Sequence, residues 1–449
     1  MPHQPQPPNM RPHRSPATQT VSPAPMRPRK EQETIMTTAT IAPTITSLAD
    51  NTLRELAGSF GTPLFVFDER ELAQRVSHLR SMLPEHTGLC FAAKANPFVL
   101  PELTPLIDRL EICSPGEYRI CQALGLPHDK IVVSGVHKSE EIVDAALSNP
   151  TPPAAITIES TAQLDLVMRI AMARGKRAPI LLRLTSGNQF GLDRAELKST
   201  VRKLRKASCV DLLGIQFFSG TQKTSLKRLQ RELNGLDKLV AELDEELGWT
   251  PRELEIGPGL PVSYFEGDAF DEAAFIESFS GMLESMAFSG SITLELGRSL
   301  TASCGTYLTR VVDTKVNAGQ RYAIVDGGIH QLVYYGQSMA MKQPPCHLLD
   351  AGAAASASAP DDAAEPWNIC GSLCTVNDIL AKQLPLAGLD TGSILAFRFA
   401  GAYCMTEGIS LFLSRDLPKV VILKHDGEPV LVRDGLRTDI INTPLHPLG

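Results

Sequence analysis

Between Leu89 and Gly297 the chain repeats one rhythm eight times, a short apolar run followed by a longer amphipathic segment. The runs are LCFAAKA from Leu89, LEICS from Leu110, KIVVSG from Lys130, AAITIES from Ala154, PILLRLT from Pro179, LLGIQFFSG from Leu212, LEIGPG from Leu254 and ITLELG from Ile292. Segments such as 219–249, containing LKRLQRELNGLDKLVAELDEEL, space Leu and Val at helical intervals. Short apolar runs in alternation with helices imply strands of a parallel sheet covered on both faces. Eight such units over about 200 residues match the size of a (β/α)8 barrel. An open doubly wound sheet is the alternative, but the GxGxxG turn that would favour it is missing.

A barrel of this kind carries its chemistry at the C-terminal ends of its strands. Read in order, those ends supply Lys94, Ser114, Ser134 with Gly135, Glu159 with Ser160, Arg183, Phe218–Ser219–Gly220, Gly257–Pro258–Gly259 and Glu295. Lys94 is the odd member. A lysine closing an apolar strand either snorkels to solvent or is placed to react. The glycine turn follows the seventh strand, where barrels commonly hold a phosphate on backbone N–H groups. One chemistry uses all three features. Lys94 would form a Schiff base with pyridoxal 5′-phosphate, the glycine turn would hold the phosphate, and Glu295 would hydrogen-bond the pyridine nitrogen. A carboxylate there keeps the nitrogen protonated, so the ring can draw electrons from a bond breaking at an amino-acid Cα.

After Arg298 the pattern changes to period-two runs, TYLTRVVDTKV, RYAIVDGG, SILAFRFAGAYC and KVVILKH, which predict a mostly antiparallel β domain. The expected organisation is a disordered Pro-rich leader over 1–48, a barrel over 49–298 and a β domain over 299–449. A first strand near 62–68 (TPLFVFD) is a candidate to join that β domain. AGAAASASAPDDAAEP, residues 351–366, is a low-complexity insert expected as a surface loop. The leader is basic and lacks the apolar centre of a secretory signal, and Met26 and Met36 offer alternative starts. A net charge of −7 gives no face for nucleic acid, and no apolar stretch is long enough for a bilayer. Nine scattered cysteines without CxxC pairs point to reduced thiols in a cytoplasmic protein and to no metal site.

From about Thr62 to Lys424 the motifs resemble, in order, those of the fold-type III PLP-dependent decarboxylases, the group of diaminopimelate, ornithine and arginine decarboxylases. FAAKAN at Phe91 is similar to the lysine motif, CSPGE at Cys113 to Ser-x-Gly-Glu, and SGVHKS at Ser134 to Gly-x-x-Lys. GIQFFSGTQ at Gly214, EIGPG at Glu255, ELGR at Glu295, VDGG at Val325, GSLCTVND at Gly371 and GAYC at Gly401 complete the set. Each is weak alone; together and in order they are specific. The resemblance implies a barrel followed by a β domain, a homodimer with shared active sites, and PLP on Lys94 with Glu295 at the ring nitrogen. Thr221, Gly257, Gly259, Arg298 and Tyr403 would surround the phosphate. Cys374 would cross the dimer interface and protonate Cα after CO2 leaves, and Asp378 matches an aspartate of the same loop. Without those motifs Cys374 would read as a buried thiol and Asp378 as an N-cap.

Departures bear on the substrate. Phe218 stands where the family stacks a histidine on the ring; it can still cover the pyridine face, or it belongs to the core. Thr375 replaces the acidic residue that grips a distal amine, and after VDGG no arginine matches the clamp for the far carboxylate of diaminopimelate. A charged distal group without a partner in a closed site is expensive, which argues against diaminopimelate. The tail GAYCMTEGISLFLSRDLP and the stretch at Gly336 look closer to a branch acting on siderophore intermediates or carrier-protein-bound amino acids. His330 and Glu407 are candidate contacts for the far end of such a substrate. Two rivals are an amino-acid racemase, which would carry an arginine at Glu295, and an inactive decarboxylase relative serving as a binding protein, which would have lost Lys94 or Cys374.

Overall fold

The computed structural model describes residues 48–265, 267, 268, 270–349 and 364–445. The leader expected over 1–48 lies outside them except for Leu48, which is buried, and so do residues 351–363 of the low-complexity stretch. Strand β1 (Leu64–Asp68) precedes a closed parallel barrel. Its staves are β2 (Gly88–Ala92), β3 (Arg109–Ile112), β4 (Ile131–Val133), β5 (Ala155–Ile158), β6 (Ala178–Leu184), β7 (Val210–Phe218), β8 (Glu253–Gly257) and β9 (Ser291–Leu296). The expected (β/α)8 fold is what forms. β9 closes onto β2 with Cys90 opposite Glu295, so β2 is flanked by β3 and β9.

Local chemistry sets the strand–helix loops. Ser114, Ser139, Ser160, Asp193, Ser225 and Asp271 each accept the backbone N–H three residues on, capping the adjoining helix. Ser114 and Ser160 on the predicted rim are therefore helix caps. The helix Leu226–Leu247 buries Leu229, Leu233, Leu236, Leu239, Leu243 and Leu247 along one stripe, each contributing roughly 2 kcal/mol. It stops at Gly248, whose φ of 56° suits a residue without Cβ. Between β7 and β8 the backbones approach so closely that a Cβ on Gly214 would overlap the Glu253 carbonyl. Gly214→Ala is therefore expected to destabilise the barrel by about 3 kcal/mol, read as a lower denaturant midpoint; an unchanged midpoint would contradict the close approach.

The second layer is a nine-stranded sheet. It adds β10 (Gly305–Asn317), β11 (Gln320–Val325), β12 (Cys346–Leu348), β13 (Glu365–Cys370), β14 (Ile379–Leu386), β15 (Ile394–Phe397), β16 (Lys419–Leu423) and β17 (Pro429–Arg433). The main path runs β14-β13-β11-β10-β1-β16-β17, antiparallel except at β1–β16 and β11–β13. β1 sits in the middle because both its faces are apolar: Phe65 and Phe67 join the main core, Leu64 and Val66 the opposite one. The helix Asp50–Phe60 covers that second face with Leu53, Leu56 and Ala57, so it packs on the sheet although it precedes the barrel. Glu365 and Pro366, expected as the end of a loop insert, instead open β13, where Glu365 pairs with Arg321. No described helix is long and apolar enough to cross a membrane.

Candidate active site

β2 runs into a single 3₁₀ turn, Ala93–Ala95, that carries Lys94. Lys94 Nζ lies 2.5 Å from Glu111 Oε2 on β3 and 3.7 Å from Glu295 Oε1 on β9, the two strands flanking its own. Cys113 Sγ is 3.5 Å away and itself donates to Glu111 Oε1 at 3.2 Å. The ammonium that ends an apolar strand is thus held by two carboxylates. Its side chain is 41% exposed, at the open side of the cavity; its partly desolvated position works against its charge, yet Glu111 and Glu295 raise its pKa well above the usual lysine value. Burial and the Glu111 charge push Glu295 up to about 7, while the Lys94 charge overcomes burial and lowers Glu111.

The sheet brings in the opposite wall. Asn96 donates to the Gly401 carbonyl and Tyr403 N–H donates to Ala95 O, tying the GAYC loop to the lysine turn. Arg298 lies between aromatic faces, 4.7 Å from the ring centres of both Tyr403 and Tyr335, and donates to Tyr264 Oη at 2.8 Å. Its Nε is buried without an acceptor. Gly259 has a φ of 63°, and a Cβ there would strike the Gly220 carbonyl.

Seven of the residues assigned above to the lysine, ring or phosphate, Lys94, Phe218, Thr221, Gly259, Glu295, Arg298 and Tyr403, line one cavity of ≈ 390 Å³, with the rim residues Gly135 and Arg183. Gly257 does not. A Cβ on it would overlap the Phe218 ring, so Gly257 lets Phe218 take its place in the wall. Cys374, Thr375, Asp378, His330 and Glu407 lie elsewhere in the protomer. Cys374, Thr375's neighbour Val376 and Glu407 are exposed. Asp378 is not a helix cap, because β14 comes directly after it; its carboxylate accepts Ile329 N–H and Leu373 N–H and so staples two loops. His330 is buried with both ring nitrogens unpartnered, and burial and Arg415 lower its pKa to about 4.

Four wall or support residues escaped the sequence reading as site members: Glu111, Cys113, Gln216 and Phe190. Glu111 was detectable, since an acid inside the apolar run LEICS is the same anomaly as Lys94 in its own run. Gln216, which donates to Glu295 Oε2 at 2.8 Å, gave no such signal. Arg183, read only as a rim residue, lies 3.2 Å from Glu159 and over the Phe190 ring.

A phosphorylated pyridine aldehyde suits these walls. Lys94 offers an amine, Glu295 a buried carboxylate for a ring nitrogen, and the orphaned Nε of Arg298 an anion partner. The glycine at 259 lets its turn fold against the Gly220 carbonyl, which any side chain would strike.

The chain matches the family model for the pyridoxal binding domain of pyridoxal-dependent decarboxylases over residues 69–302. It is 31% identical to the diaminopimelate decarboxylase of Pseudomonas fluorescens, covering 78% of this chain and 85% of that one. The L-glutamyl-[BtrI acyl-carrier protein] decarboxylase of Niallia circulans is 24% identical over 87% of this chain and 95% of its own. In structure, the diaminopimelate decarboxylase of M. jannaschii superposes with a TM-score of 0.75 at 22% identity, covering 88% and 94% of the two chains. The lysine, carboxylates and glycine turn assembled at the barrel mouth accord with these matches: the chain belongs to the pyridoxal-dependent decarboxylases, enzymes that remove a carboxylate from an amino acid with pyridoxal 5′-phosphate as cofactor.

Proposed function

We propose that this decarboxylase works as a homodimer with shared sites and removes the α-carboxylate of an amino acid whose far end carries no free amine. The observation that carries the site assignment is Lys94 pinned between Glu111 and Glu295 in a cavity whose other wall holds the orphaned Nε of Arg298. When bound, the cofactor supplies an electron sink for the bond that breaks at Cα. Lys94 is the amine that carries it. Glu295 holds a proton at the ring nitrogen, and Phe218 covers a ring face. Arg298, the Thr221 hydroxyl, Tyr403 and the Gly259 turn bind the phosphate, with Gly257 shaping that turn. Glu111 keeps the Lys94 ammonium in position when the amine is released.

Cys374 is assigned the proton delivered to Cα, from the partner subunit. Its exposure supports this, as does the exposed Val376 two residues on, an apolar side chain left to solvent on the same loop. A thiol that faces solvent and is absent from its own cavity wall is free to serve the cavity of a second copy.

The substrate's far end is assigned to Thr375 and Glu407, with Asp378 and the buried His330 holding their loops. Thr375 offers a neutral hydroxyl, whereas both ring nitrogens of His330 are buried. Asp378 is committed to backbone N–H groups and cannot grip an amine. That favours a conjugated substrate, such as a carrier-protein thioester or a siderophore precursor, over diaminopimelate. All nine cysteines are free, which supports a cytoplasmic setting.

Two measurements test the shared site. Cys374→Ala is expected to slow amine release about 100-fold while the visible absorbance of the bound cofactor persists. Mixed after denaturation with an inactive Lys94→Ala chain, it should recover about a quarter of wild-type activity, since half the dimers would hold one intact site of two. No recovery would refute the assignment in trans.

A further inference from the structure

Beside Glu295, two buried oxygens on neighbouring strands each lack a hydrogen-bond partner. Gln216 on β7 and Glu255 on β8 are direct neighbours in the parallel register, 2% and 0% exposed. Gln216 Nε2 donates to Glu295 Oε2 at 2.8 Å. Its carbonyl oxygen Oε1 is buried with no donor, and so is Glu255 Oε1. The other Glu255 oxygen, Oε2, lies 3.3 Å from Arg109 Nη1. Registered neighbours on one face of a sheet stand about 4.8 Å apart, so these two side chains share a layer of the barrel. Two oxygens bearing only lone pairs repel in such a layer unless a hydrogen lies between them.

The surrounding charge says where that hydrogen comes from. Glu255 faces Arg109 and Glu111 from β3, Glu253 on its own strand, Glu295 from β9 and the Cys90 thiol from β2. Arg109 is already bidentate on Glu253, at 2.8 Å to each oxygen. Lys94 is committed to Glu111. The layer thus has more carboxylates than cations. Burial and the Glu295 charge push Glu255 up to about 8.

We propose that Glu255 carries a proton at neutral pH and donates it to Gln216 Oε1, locking the amide so that its N–H₂ faces Glu295 and Glu295 stays the ionised acceptor at the cavity. Glu255 is then a positioning residue that acts through Gln216. The consequence for the cofactor rests on Glu295 being the partner of the ring nitrogen; the location of the proton does not.

Infrared spectroscopy of the full-length protein, with and without pyridoxal 5′-phosphate, reads the proton directly. The difference spectrum of wild type minus Glu255→Gln at pH 7 should contain the C=O stretch of a protonated carboxylic acid, and that band should persist in Glu295→Gln. Glu255→Gln supplies an N–H donor of the same shape and should rescue the pH profile of the bound cofactor's visible absorbance. Glu255→Leu has no donor; it should move that profile by about one pH unit and lower kcat about tenfold with little change in KM. The absence of an acid band overturns the proposal. So does a band lost in Glu295→Gln instead, which would mean the Gln216 amide is turned and the proton sits on Glu295. A Gln variant as impaired as the Leu variant also overturns it. If Glu255→Leu does not fold, the infrared comparison of wild type and Glu255→Gln still decides. A band present with an unmoved absorbance profile in the Leu variant keeps the proton on Glu255 and overturns the role given to Glu295.

Discussion

Lys94→Ala should stop CO2 release, lowering turnover by about four orders of magnitude, and should leave protein purified with the cofactor colourless in the visible. Among the described residues lining the cavity, the amine is the nucleophile held between two carboxylates, and Cys113 cannot replace it, being held as a thiol with its pKa raised by burial and by Glu111. The same change has a structural consequence that can be measured separately. Without the ammonium, Glu111 and Glu295 face one another with only Arg183 left as a counter-charge to Glu295, so their pKa values in the fold should rise above the value of 4.5 they have in an unfolded chain. An acid whose folded pKa is raised loses stability as pH climbs from its unfolded pKa through its folded one. Lys94→Ala should therefore be closer to wild type in stability at pH 5 than at pH 8. Lys94→Arg returns the cation without the nucleophile. It should recover stability at pH 8 and remain inactive. Activity in either variant, or retained colour in Lys94→Ala, would refute the assignment of Lys94.

Glu295→Gln is expected to reduce kcat by about 100- to 1000-fold, which corresponds to about 3 to 4 kcal/mol of transition-state stabilisation. The amide keeps the shape and a hydrogen bond to Gln216 but cannot hold a proton on a ring nitrogen, so charge developing at Cα meets a weaker sink. KM should change little, because the substrate's own contacts are untouched, and the cofactor should stay bound through Lys94 and Arg298. Steady-state kinetics with any accepted substrate, together with the visible spectrum, check both halves. An unaltered kcat would sink the role of Glu295, and loss of cofactor would recast it as a binding residue.

Several of these residues were legible before the fold. Lys94 announced itself as a charge where an apolar strand should end, and Glu295 as the acid on the last of eight such strands. The glycine turn was legible only in part. Gly257 and Gly259 look alike in LEIGPG, but the first yields space to the Phe218 ring and the second to the Gly220 carbonyl, a difference set by which neighbour each Cβ would strike. Glu111 could have been found by the argument used for Lys94. Asp378 could not have been placed, because it leads into a strand rather than a helix, and its carboxylate staples backbone from two distant segments.

The division has a physical cause. Periodicity, helix caps and strand ends arise from residues within a few positions of one another, so the order of runs determined a barrel of eight units with its polar residues at one rim. Which charge meets which was decided by closure. β9 returning to β2 brings Glu295 to Lys94, β3 on the other side brings Glu111, and β8 stands Glu255 beside Gln216. β1 was likewise claimed by strands more than two hundred residues away because both its faces are apolar and only the middle of a sheet buries both. Such pairings depend on distances that exist only once the ring is shut, and no local pattern encodes them.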